Sequence, residues 1–430
     1  RVNEQIFSDM KVRASYGSLG NGNVDPYSFL ELLSIKTSDR VLNGALNKYT
    51  SAPAVMPSGL TWETATTTDV GLDFGMLNSR FRFSGDYYIR KTTDMYTVGK
   101  TLPEIFGAAS PKGNYADMTT KGWEITLTWR DHFELASKPF NYEIKGTLSD
   151  YISTIDRYNN ENKYLDDYYE GMRVGEIWGY ETEGLFKDQA DIDNHATQKL
   201  IKSSSKNIWY PGDVKLKDQD GNGAIDYGTN RVDDHGDLKV IGNSLPRFAY
   251  SINLSGDWNN FFLSAFFQGV GKQDWYPSSE CIFWGQYNRP YNNLPTWHVD
   301  NYWTEDNQGA YLPRYAGYNT SIRDTKQTRY LQNVAYIRLK NLQFGYTLPK
   351  QWISKIMLQN ARVYISAENL WCWSPLYKHT RDLDVTNIYG SDPDLTDADM
   401  KSGLNGKRGS GDGNSYPQMR SISLGVSVTF

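Results

Sequence analysis

The chain has 430 residues and a formal net charge of -5, so its charge gives no sign of a nucleic-acid partner. Aromatic residues make up 14% of it, with 31 Tyr and 13 Trp, although the mean hydropathy is only -0.62. No run of residues approaches the roughly 18 apolar residues of a spanning helix, which excludes a helical membrane protein.

Stretches of alternating apolar and polar residues recur along the chain, as expected for strands whose side chains point to opposite faces in turn. The alternation shifts by one residue between Leu339 and Leu342, which predicts a β-bulge there. No convincing long amphipathic helix accompanies these stretches. About ten strands are predicted, at residues 11–17, 68–76, 81–90, 121–130, 142–148, 247–256, 261–269, 336–348, 361–369 and 421–430.

The connections between the predicted strands alternate between short turns and long loops. The long loops lie near residues 18–67, 91–120, 151–245, 270–333 and 370–420. Short turns at one end and long loops at the other are typical of outer-membrane barrels, and loops of this length are rare in compact soluble domains. The pattern therefore predicts an all-β, transmembrane antiparallel β-barrel, with a soluble β-sandwich or propeller as the alternative.

Eight segments in order resemble the SusC/RagA-like TonB-dependent outer-membrane transporters of Bacteroidota. They run from MKVRASYGSLGN, through TKGWEITLTWR, GDVKLKDQDGNGAID and AYIRLKNLQFGYTLP, to the closing YPQMRSISLGVSVTF, and so cover nearly the whole length. The resemblance implies a plugged barrel of about 22 strands, of which residues 1–430 form the C-terminal part. The plug domain, the segment that binds TonB, the signal peptide and the first strands are expected to lie outside this chain.

The resemblance also implies partners and an energy source. A SusD-like surface lipoprotein would cover the barrel, and the TonB–ExbB–ExbD system would act through the plug. Outer-membrane lipids would surround the barrel, and the assembly would be a dimer of transporter–lipoprotein pairs. The expected function is active import of a nutrient, an oligosaccharide in the first place. The alternatives are import of oligopeptides, as by RagA, and a soluble extracellular protein that binds or degrades glycans.

The segment DQDGNGAID carries oxygen ligands at the spacing of a calcium loop. Alternate side chains would converge on the cation, Gly223 would allow a sharp turn, and a backbone carbonyl would complete the set. Thr229 stands where such a loop has its bidentate Glu, so Asp233 or Asp234 would have to substitute. A metal-free turn rich in Asp and Gly is the alternative. The predicted ligands are Asp218, Asp220, Asn222, the carbonyl of Ala224, and Asp226.

No catalytic constellation is recognisable, and an enzyme is not expected. The five histidines are scattered without a metal-binding pair, and no nucleophile-elbow, phosphate-loop or dinucleotide-binding motif occurs. The two cysteines, Cys281 and Cys372, lack metal-ligand spacing, and a disulfide between them would need an oxidising compartment. No organic cofactor is expected, and calcium would serve only as a structural brace of an extracellular loop.

Aromatic residues are concentrated in the two longest loops. Their flat rings suit the faces of sugars and also peptides, so they are candidates for substrate binding. The alternative is that they pack the loops together or contact a partner protein. The predicted substrate-binding residues are Trp178, Tyr180, Trp209, Trp275, Trp284 and Trp303.

The closing segment predicts how the last strand lies in the membrane. One face of this strand carries Ile422, Leu424, Val426, Val428 and Phe430. In a membrane barrel this face would contact lipid, and the small and polar residues between them would face the lumen. A final strand that ends in Phe resembles the signal read by the outer-membrane assembly machinery. Phe430 is therefore expected to act in assembly, and the protein is expected in the bacterial outer membrane.

Overall fold

The computed structural model is dominated by β-strands, with a few short helices. Among the described residues, no helix is both long and apolar enough to cross a membrane. The structure describes residues 7–22, 30, 33, 35–50, 59–99, 105, 110–199, 201, 208–279, 281–354, 357–388 and 417–430.

Within these ranges the secondary structure comprises long and short strands, three short α-helices and several 3-10 segments. The first strands are β1 (Phe7–Asn21), β2 (Ile35–Leu42), β3 (Ala45–Thr50), β4 (Glu63–Met76), β5 (Phe81–Val98), β6 (Lys112–Leu135), β7 (Lys138–Arg157), β8 (Glu176–Gly179), β9 (Thr182–Leu185) and β10 (Val214–Leu216). The others are β11 (Lys239–Asn243), β12 (Arg247–Trp258), β13 (Phe261–Lys272), β14 (Asp274–Trp275), β15 (Tyr302–Trp303), β16 (Leu312–Arg314), β17 (Gln332–Asn333), β18 (Tyr336–Thr347), β19 (Asn360–Trp373) and β20 (Ser421–Thr429). The helices are α1 (Gln189–Asp193), α2 (Thr320–Arg323) and α3 (Lys350–Ile353), and the 3-10 segments are Ile282–Tyr287, Thr296–His298, Pro375–Lys378 and Val385–Asn387.

Ten strands form one antiparallel sheet in the order β1-β4-β5-β6-β7-β12-β13-β18-β19-β20. Neighbours in this sheet are also neighbours in the chain once the short loop strands are set aside, so the sheet is a simple meander. All ten predicted strands are present, which confirms the all-β, antiparallel prediction. The smaller strands pair in twos within the loops, as β2 with β3, β8 with β11, β9 with β10, β14 with β17 and β15 with β16.

The register of the sheet separates an apolar face from a polar face. One row of directly paired residues crosses all ten strands and is apolar throughout: Phe7, Met76, Phe81, Trp129, Ile144, Leu254, Ala265, Leu342, Ala367 and Ile422. Many of the large side chains on this face are exposed, for example Ile144 at 46% and Ile365 at 51%. Soluble monomers rarely expose a continuous apolar surface of this extent, whereas the outside of a membrane barrel does.

Aromatic side chains are concentrated on the apolar face near the short turns. Phe74 stacks on Phe83 with ring centroids 4.9 Å apart, and Phe261 stacks on Phe344 at 5.9 Å. Trp129 donates a hydrogen bond from its indole to the hydroxyl of Tyr142. This band is typical of the aromatic girdle that barrels place at the boundary between lipid and water.

The predicted β-bulge lies at Lys340. The pairing between β18 and β13 skips this residue, since Leu339 is opposite Phe267 and Asn341 is opposite Phe266. The pairing with β19 shifts at the same place. Because the bulge moves the alternation by one residue, the apolar side chains on both sides of it stay on one face.

The turns at the girdle end are tight. Asn259 and Asn260 both have positive φ, of 48° and 70°, as the two central residues of a two-residue hairpin require. Ala136 and Ser137 adopt the same conformation between β6 and β7. Asn tolerates this left-handed region better than most residues, which accounts for the two asparagines in the turn between β12 and β13.

Strands β4 to β7 are longer than the sequence alternation indicates. β5 ends at Val98 and β6 begins at Lys112, inside the segment predicted to be a long loop. These extensions are rich in Thr and charged residues and have no apolar alternation, because they stand beyond the apolar band. Backbone pairing continues there without a lipid-facing pattern, so the connecting loops are shorter than predicted.

Candidate functional site

The polar face of the sheet forms a wall lined by hydroxyl, amide and charged groups. One row of paired residues on this face consists of Lys11, Asp73, Ser84, Thr126, Thr147, Ser251, Gln268, Arg338 and Cys372. Side-chain hydrogen bonds link neighbours along it, such as that between the Thr147 and Ser251 hydroxyls at 2.6 Å. Such a surface suits the water-filled side of a barrel.

Near β1 the polar wall carries a charged network. The Arg13 guanidinium forms ion pairs with Asp73 and Asp86, each at 2.7 Å, and Ser84 donates to Asp73. About a third of the Arg13 and Asp73 side chains is exposed. The network holds three strands in register through polar side chains rather than through an apolar core, and each solvated pair contributes little to stability.

The long loops pack into a hydrophobic cluster of their own, here called the loop core. Trp284 contacts Phe283 edge to face at 5.1 Å and Tyr330 at 5.7 Å, and its indole donates to the carbonyl of Ser278. The members are Val214, Trp275, Cys281, Phe283, Trp284, Tyr287, Leu312, Ile322, Tyr330, Val334, Tyr336, Leu376, Leu383, Val385 and Ile388. They come from three different loops and from β18, so these three loops form one packed body.

Several polar groups inside the loop core are paired, as burial favours, whereas His298 Nδ1 and Asn319 Nδ2 are buried without a hydrogen-bond partner among the described residues. The Tyr287 hydroxyl donates to the carbonyl of Pro313 at 2.8 Å. Asp213, of which 2% of the side chain is exposed, forms an ion pair with Arg314 at 2.7 Å. Burial raises the pKa of Asp213 although the Arg314 guanidinium opposes this shift. Cys281 is buried and Cys372 half-buried, and the two are not joined by a disulfide.

We predict that acidification weakens the loop core through His298. Burial lowers the pKa of His298 to about 4, and its Nε2–H donates to the carbonyl of Phe283. Between about pH 6.5 and about pH 4, His298 is protonated in the unfolded chain but stays neutral in the folded loop core. The stability of the fold therefore falls as the pH drops through this range. Burial shifts His379 in the same direction.

The measurement is limited proteolysis of the loops on the intact protein across this pH range. We expect the cleavage rate to rise progressively below about pH 6.5. His298→Gln, which keeps a donor for the Phe283 carbonyl, should flatten the pH dependence. A cleavage rate that does not change with pH would contradict the prediction. The difference between the unfolded and folded pKa values limits the loss of folding free energy to about 3 kcal/mol.

The structure places most of the predicted substrate-binding aromatics in the packed interior of the loops. Trp275 and Trp284 have no exposed surface, Tyr180 is 6% exposed and Trp303 is 8% exposed. Side chains this buried contact other loop residues rather than solvent, which favours the packing alternative for these four. The burial has a physical cause, since large aromatic rings are the main source of apolar area in a loop body without long helices.

Trp178 and Trp209 are the two candidates that keep exposed surface. The Trp178 ring lies 5.4 Å from that of His235, and its indole donates to the Tyr169 hydroxyl. Trp209 packs against both the loop core and a smaller cluster of Tyr180, Ile201, Leu216 and Ile225. Their role in substrate binding stays a prediction.

The calcium-like segment is anchored by Ile225, which is fully buried in the smaller cluster. Three carboxylates come together here: one oxygen from each of Asp218, Asp220 and Asp237 lies within 4.8 Å of the others. Asp218 accepts the backbone N–H groups of Gly223 and Gly221, which hold its pKa below the usual range. Carboxylate oxygens in this number fit a hard cation such as calcium.

The remaining predicted ligands are engaged differently. The Asn222 oxygen accepts the N–H of Ala224, and the Asp226 carboxylate accepts the N–H of Gly228. Asp226 is not part of the group of three carboxylates. Neither suggested substitute joins the group, since Asp233 pairs with Arg231 and Asp234 accepts the N–H of Thr229.

Asp237 is the residue that the sequence pattern missed. It is fully buried and accepts the N–H groups of Gln219 and Asp226. A calcium-loop template covers about 12 consecutive residues, and Asp237 lies 19 positions after Asp218, beyond its reach. The chain turns back after the calcium-like segment, and this turn places Asp237 beside Asp218 and Asp220. Its position is therefore visible only in the three-dimensional structure.

Comparison with known proteins identifies relatives over the whole chain, although no protein-family model matches. TonB-dependent receptor P3 of Formosa agariphila is 28% identical over 451 residues, which cover 98% of this chain and 39% of the relative. SusC of Bacteroides thetaiotaomicron, also a TonB-dependent receptor, is 23% identical over 99% of this chain and 38% of its own length. The homologues of this chain are TonB-dependent receptors.

Solved structures support the same assignment. The structure of the RagAB peptide transporter matches with a TM-score of 0.69 and 19% identity, covering 100% of this chain and 42% of that one. At this identity the likeness concerns the fold. The predicted resemblance to SusC- and RagA-like TonB-dependent receptors, and the predicted partial barrel, are confirmed.

The chain spans about two fifths of the length of the TonB-dependent receptors it matches, 39% of P3 and 38% of SusC. These relatives are receptors and transporters rather than enzymes, as predicted. Phe430 directly follows β20 and is 81% exposed, at a position that continues the apolar alternation of Val426 and Val428. Its role in assembly of the receptor stays a prediction.

Proposed function

We propose that this chain is the C-terminal barrel region of a TonB-dependent importer in the bacterial outer membrane. The observation that carries the proposal is the two-faced sheet, apolar along a row of ten strands and polar along the opposite row. The apolar face meets lipid and the polar face lines the lumen. A plug and further strands, supplied from outside residues 1–430, would complete the barrel and cover the free edges of β1 and β20.

In this proposal the barrel encloses its cargo without covalent chemistry. The loop core provides a rigid outer rim, since its members are buried and mutually packed. A SusD-like surface lipoprotein would cover this rim in a dimer of transporter–lipoprotein pairs, and TonB–ExbB–ExbD would drive import through the plug. SusC among the relatives and RagAB among the solved structures support a partner lipoprotein.

The proposed cargo is an oligosaccharide. The partly exposed rings of Trp178 and Trp209 on the loop body suit stacking on sugar faces. An oligopeptide is the second candidate, because the chain matches the fold of a peptide transporter.

The test is uptake by cells that carry or lack the full-length gene. We expect the deletion strain to lose growth on an oligosaccharide that the wild type imports. In a separate extraction experiment, we expect the protein to require detergent. Loss of growth on peptides alone would select the peptide alternative. A protein that is extracted in aqueous buffer without detergent would overturn the importer proposal.

We further propose that calcium braces the loop held by Asp218, Asp220 and Asp237. Asp218→Ala combined with Asp220→Ala in the full-length protein should remove the bound calcium and speed proteolysis of this loop. Asp233→Ala is the matched control, because the Asp233 side chain is 68% exposed and pairs only with Arg231 among the described residues. Metal analysis after equilibration with calcium provides the readout, and unchanged metal content in the double variant would refute the site.

A further inference from the structure

The outer ends of β18 and β19, together with loop residues 377–384 and 417–420, border a small cavity on the polar face of the sheet, here called the arginine pocket. Its volume is about 190 Å³, and Arg338, Arg381, Arg420, Tyr377, Asp384 and Gln418 are among the residues that line it. Arg338 is opposite Gln268 and Cys372 in the polar row, while Ile337 and Leu339 point to the apolar face. The pocket therefore lies on the side that the proposed function assigns to the lumen.

The wall of the arginine pocket carries more positive than negative charge. Three guanidinium groups and one carboxylate line it. That carboxylate, Asp384, accepts hydrogen bonds from Arg338 at 2.6 Å, from Thr386 and from the backbone N–H of Gln418. Both of its oxygens therefore accept hydrogen bonds within the protein, and among the described residues it forms an ion pair with Arg338.

The other two guanidinium groups are not balanced by a carboxylate of the residues that the structure describes. Among the described residues, neither Arg381 nor Arg420 forms an ion pair. Arg381 lies over the ring of Tyr377 at 5.4 Å, which fixes its plane without neutralising its charge. Glu368, on the adjacent strand, is engaged by the hydroxyl of Ser421. Lys340 adds a further cation nearby and donates to the side chain of Gln418.

Two buried polar atoms at the pocket have no hydrogen-bond partner. Arg338, whose side chain is 6% exposed, uses Nη2 to bind Asp384, and its Nε has no partner. The side-chain oxygen of Asn369 is also buried and without a partner, while its amide donates to the carbonyl of Met419. A buried donor left unpaired costs about 1–3 kcal/mol, so an oxygen that reached it would be favoured.

We propose that the arginine pocket binds a carboxylate or sulfate group of the imported cargo. Guanidinium groups bind such planar or tetrahedral oxyanions through paired, charge-assisted hydrogen bonds. A cavity of about 190 Å³ has room for the charged group of one sugar or amino-acid residue. The rest of the cargo would extend along the polar wall. This inference rests on the importer function and narrows its cargo to an anionic class.

Binding is measured by ligand-detected NMR on the full-length protein in detergent, with glucuronate, inorganic sulfate and N-acetylglycine as probes and glucose as the neutral comparison. The variant is R381Q combined with R420Q, because neither side chain forms an ion pair with the part of the chain that the structure describes. Arg362→Gln is the matched control. Arg362 lies on the polar face of β19, as the pocket residue Cys372 does, but at the opposite end of the strand. Tighter binding of glucuronate than of N-acetylglycine would identify an acidic sugar as the cargo. Tighter binding of N-acetylglycine would identify a peptide carboxylate.

We expect at least one anionic probe to bind the wild type and the R362Q control alike, and to bind the double variant at least tenfold more weakly. Equal binding to the wild type and the double variant, or binding of none of the anions, would overturn the proposal. The importer function is tested separately by the deletion strain. Import by the double variant at the wild-type rate would remove the pocket from the mechanism and leave the importer intact.

Discussion

Replacing Leu254 with Arg will destabilise the folded barrel by about 2–4 kcal/mol, the cost of a cationic side chain near the middle of a lipid-facing surface. Leu254 lies on β12 between Ile144 and Ala265, in the apolar row that crosses all ten strands. An Arg there would have to leave its charge in hydrocarbon or bend toward a distant interface. Urea unfolding of the full-length protein in lipid vesicles measures the loss, and the amount of folded protein in the outer membrane should fall with it.

Ser255→Arg provides the matched control one residue along the same strand. Ser255 is on the polar face, opposite Ser264 and Glu143, where a cation meets water and a carboxylate that already pairs with Arg130. We expect this variant to change stability by no more than about 0.5 kcal/mol, as for most substitutions on a hydrated surface. If Ser255→Arg were as harmful as Leu254→Arg, or if Leu254→Arg were harmless, the assignment of the two faces would be wrong.

Replacing Trp284 with Ala will loosen the entire loop body. The Trp284 side chain has no exposed surface and contacts Phe283, Tyr276 and Tyr330. Removing a fully buried aromatic ring typically costs about 3–5 kcal/mol, because the cavity that it leaves closes only in part. Limited proteolysis on intact cells should therefore cut the loops much faster in the variant, while the membrane-embedded strands remain protected.

Tyr291→Ala is the control for this substitution. Tyr291 lies in the same loop and is 72% exposed, so its removal leaves no internal cavity. The pair also separates packing from substrate binding. If Trp284 served mainly as a substrate contact, its loss would reduce cargo binding without changing the cleavage pattern of the loops.

The strands were predictable because their signal is local. Alternation along residues 81–90 or 421–430 reports directly which side chains meet lipid, and even the bulge at Lys340 appears as a shift in phase. The ends of the strands were not predictable. Beyond the apolar band, as in β5 past Ile89, both faces of a strand meet water, so the pairing continues without a sequence pattern.

The interior of the loops was beyond the reach of the sequence because it depends on contacts between distant segments. Trp284 and Trp178 are both loop aromatics in the sequence, yet one is fully buried and the other only partly so. Nothing local to either residue distinguishes them. Asp237 is a similar case, since its approach to Asp218 is set by the fold of the loop.

The loop core has a consequence for how such proteins diversify. Val214, Trp284 and Leu376 pack in one cluster, although each is carried by a different excursion of the chain between separate pairs of strands. A single loop grafted from a relative would lack the residues that it packs against in the other loops, and those loops would lose their own packing partner. New specificity at the outer rim should therefore be inherited as a block of co-varying loops, and chimaeras should succeed only when the whole block is exchanged together.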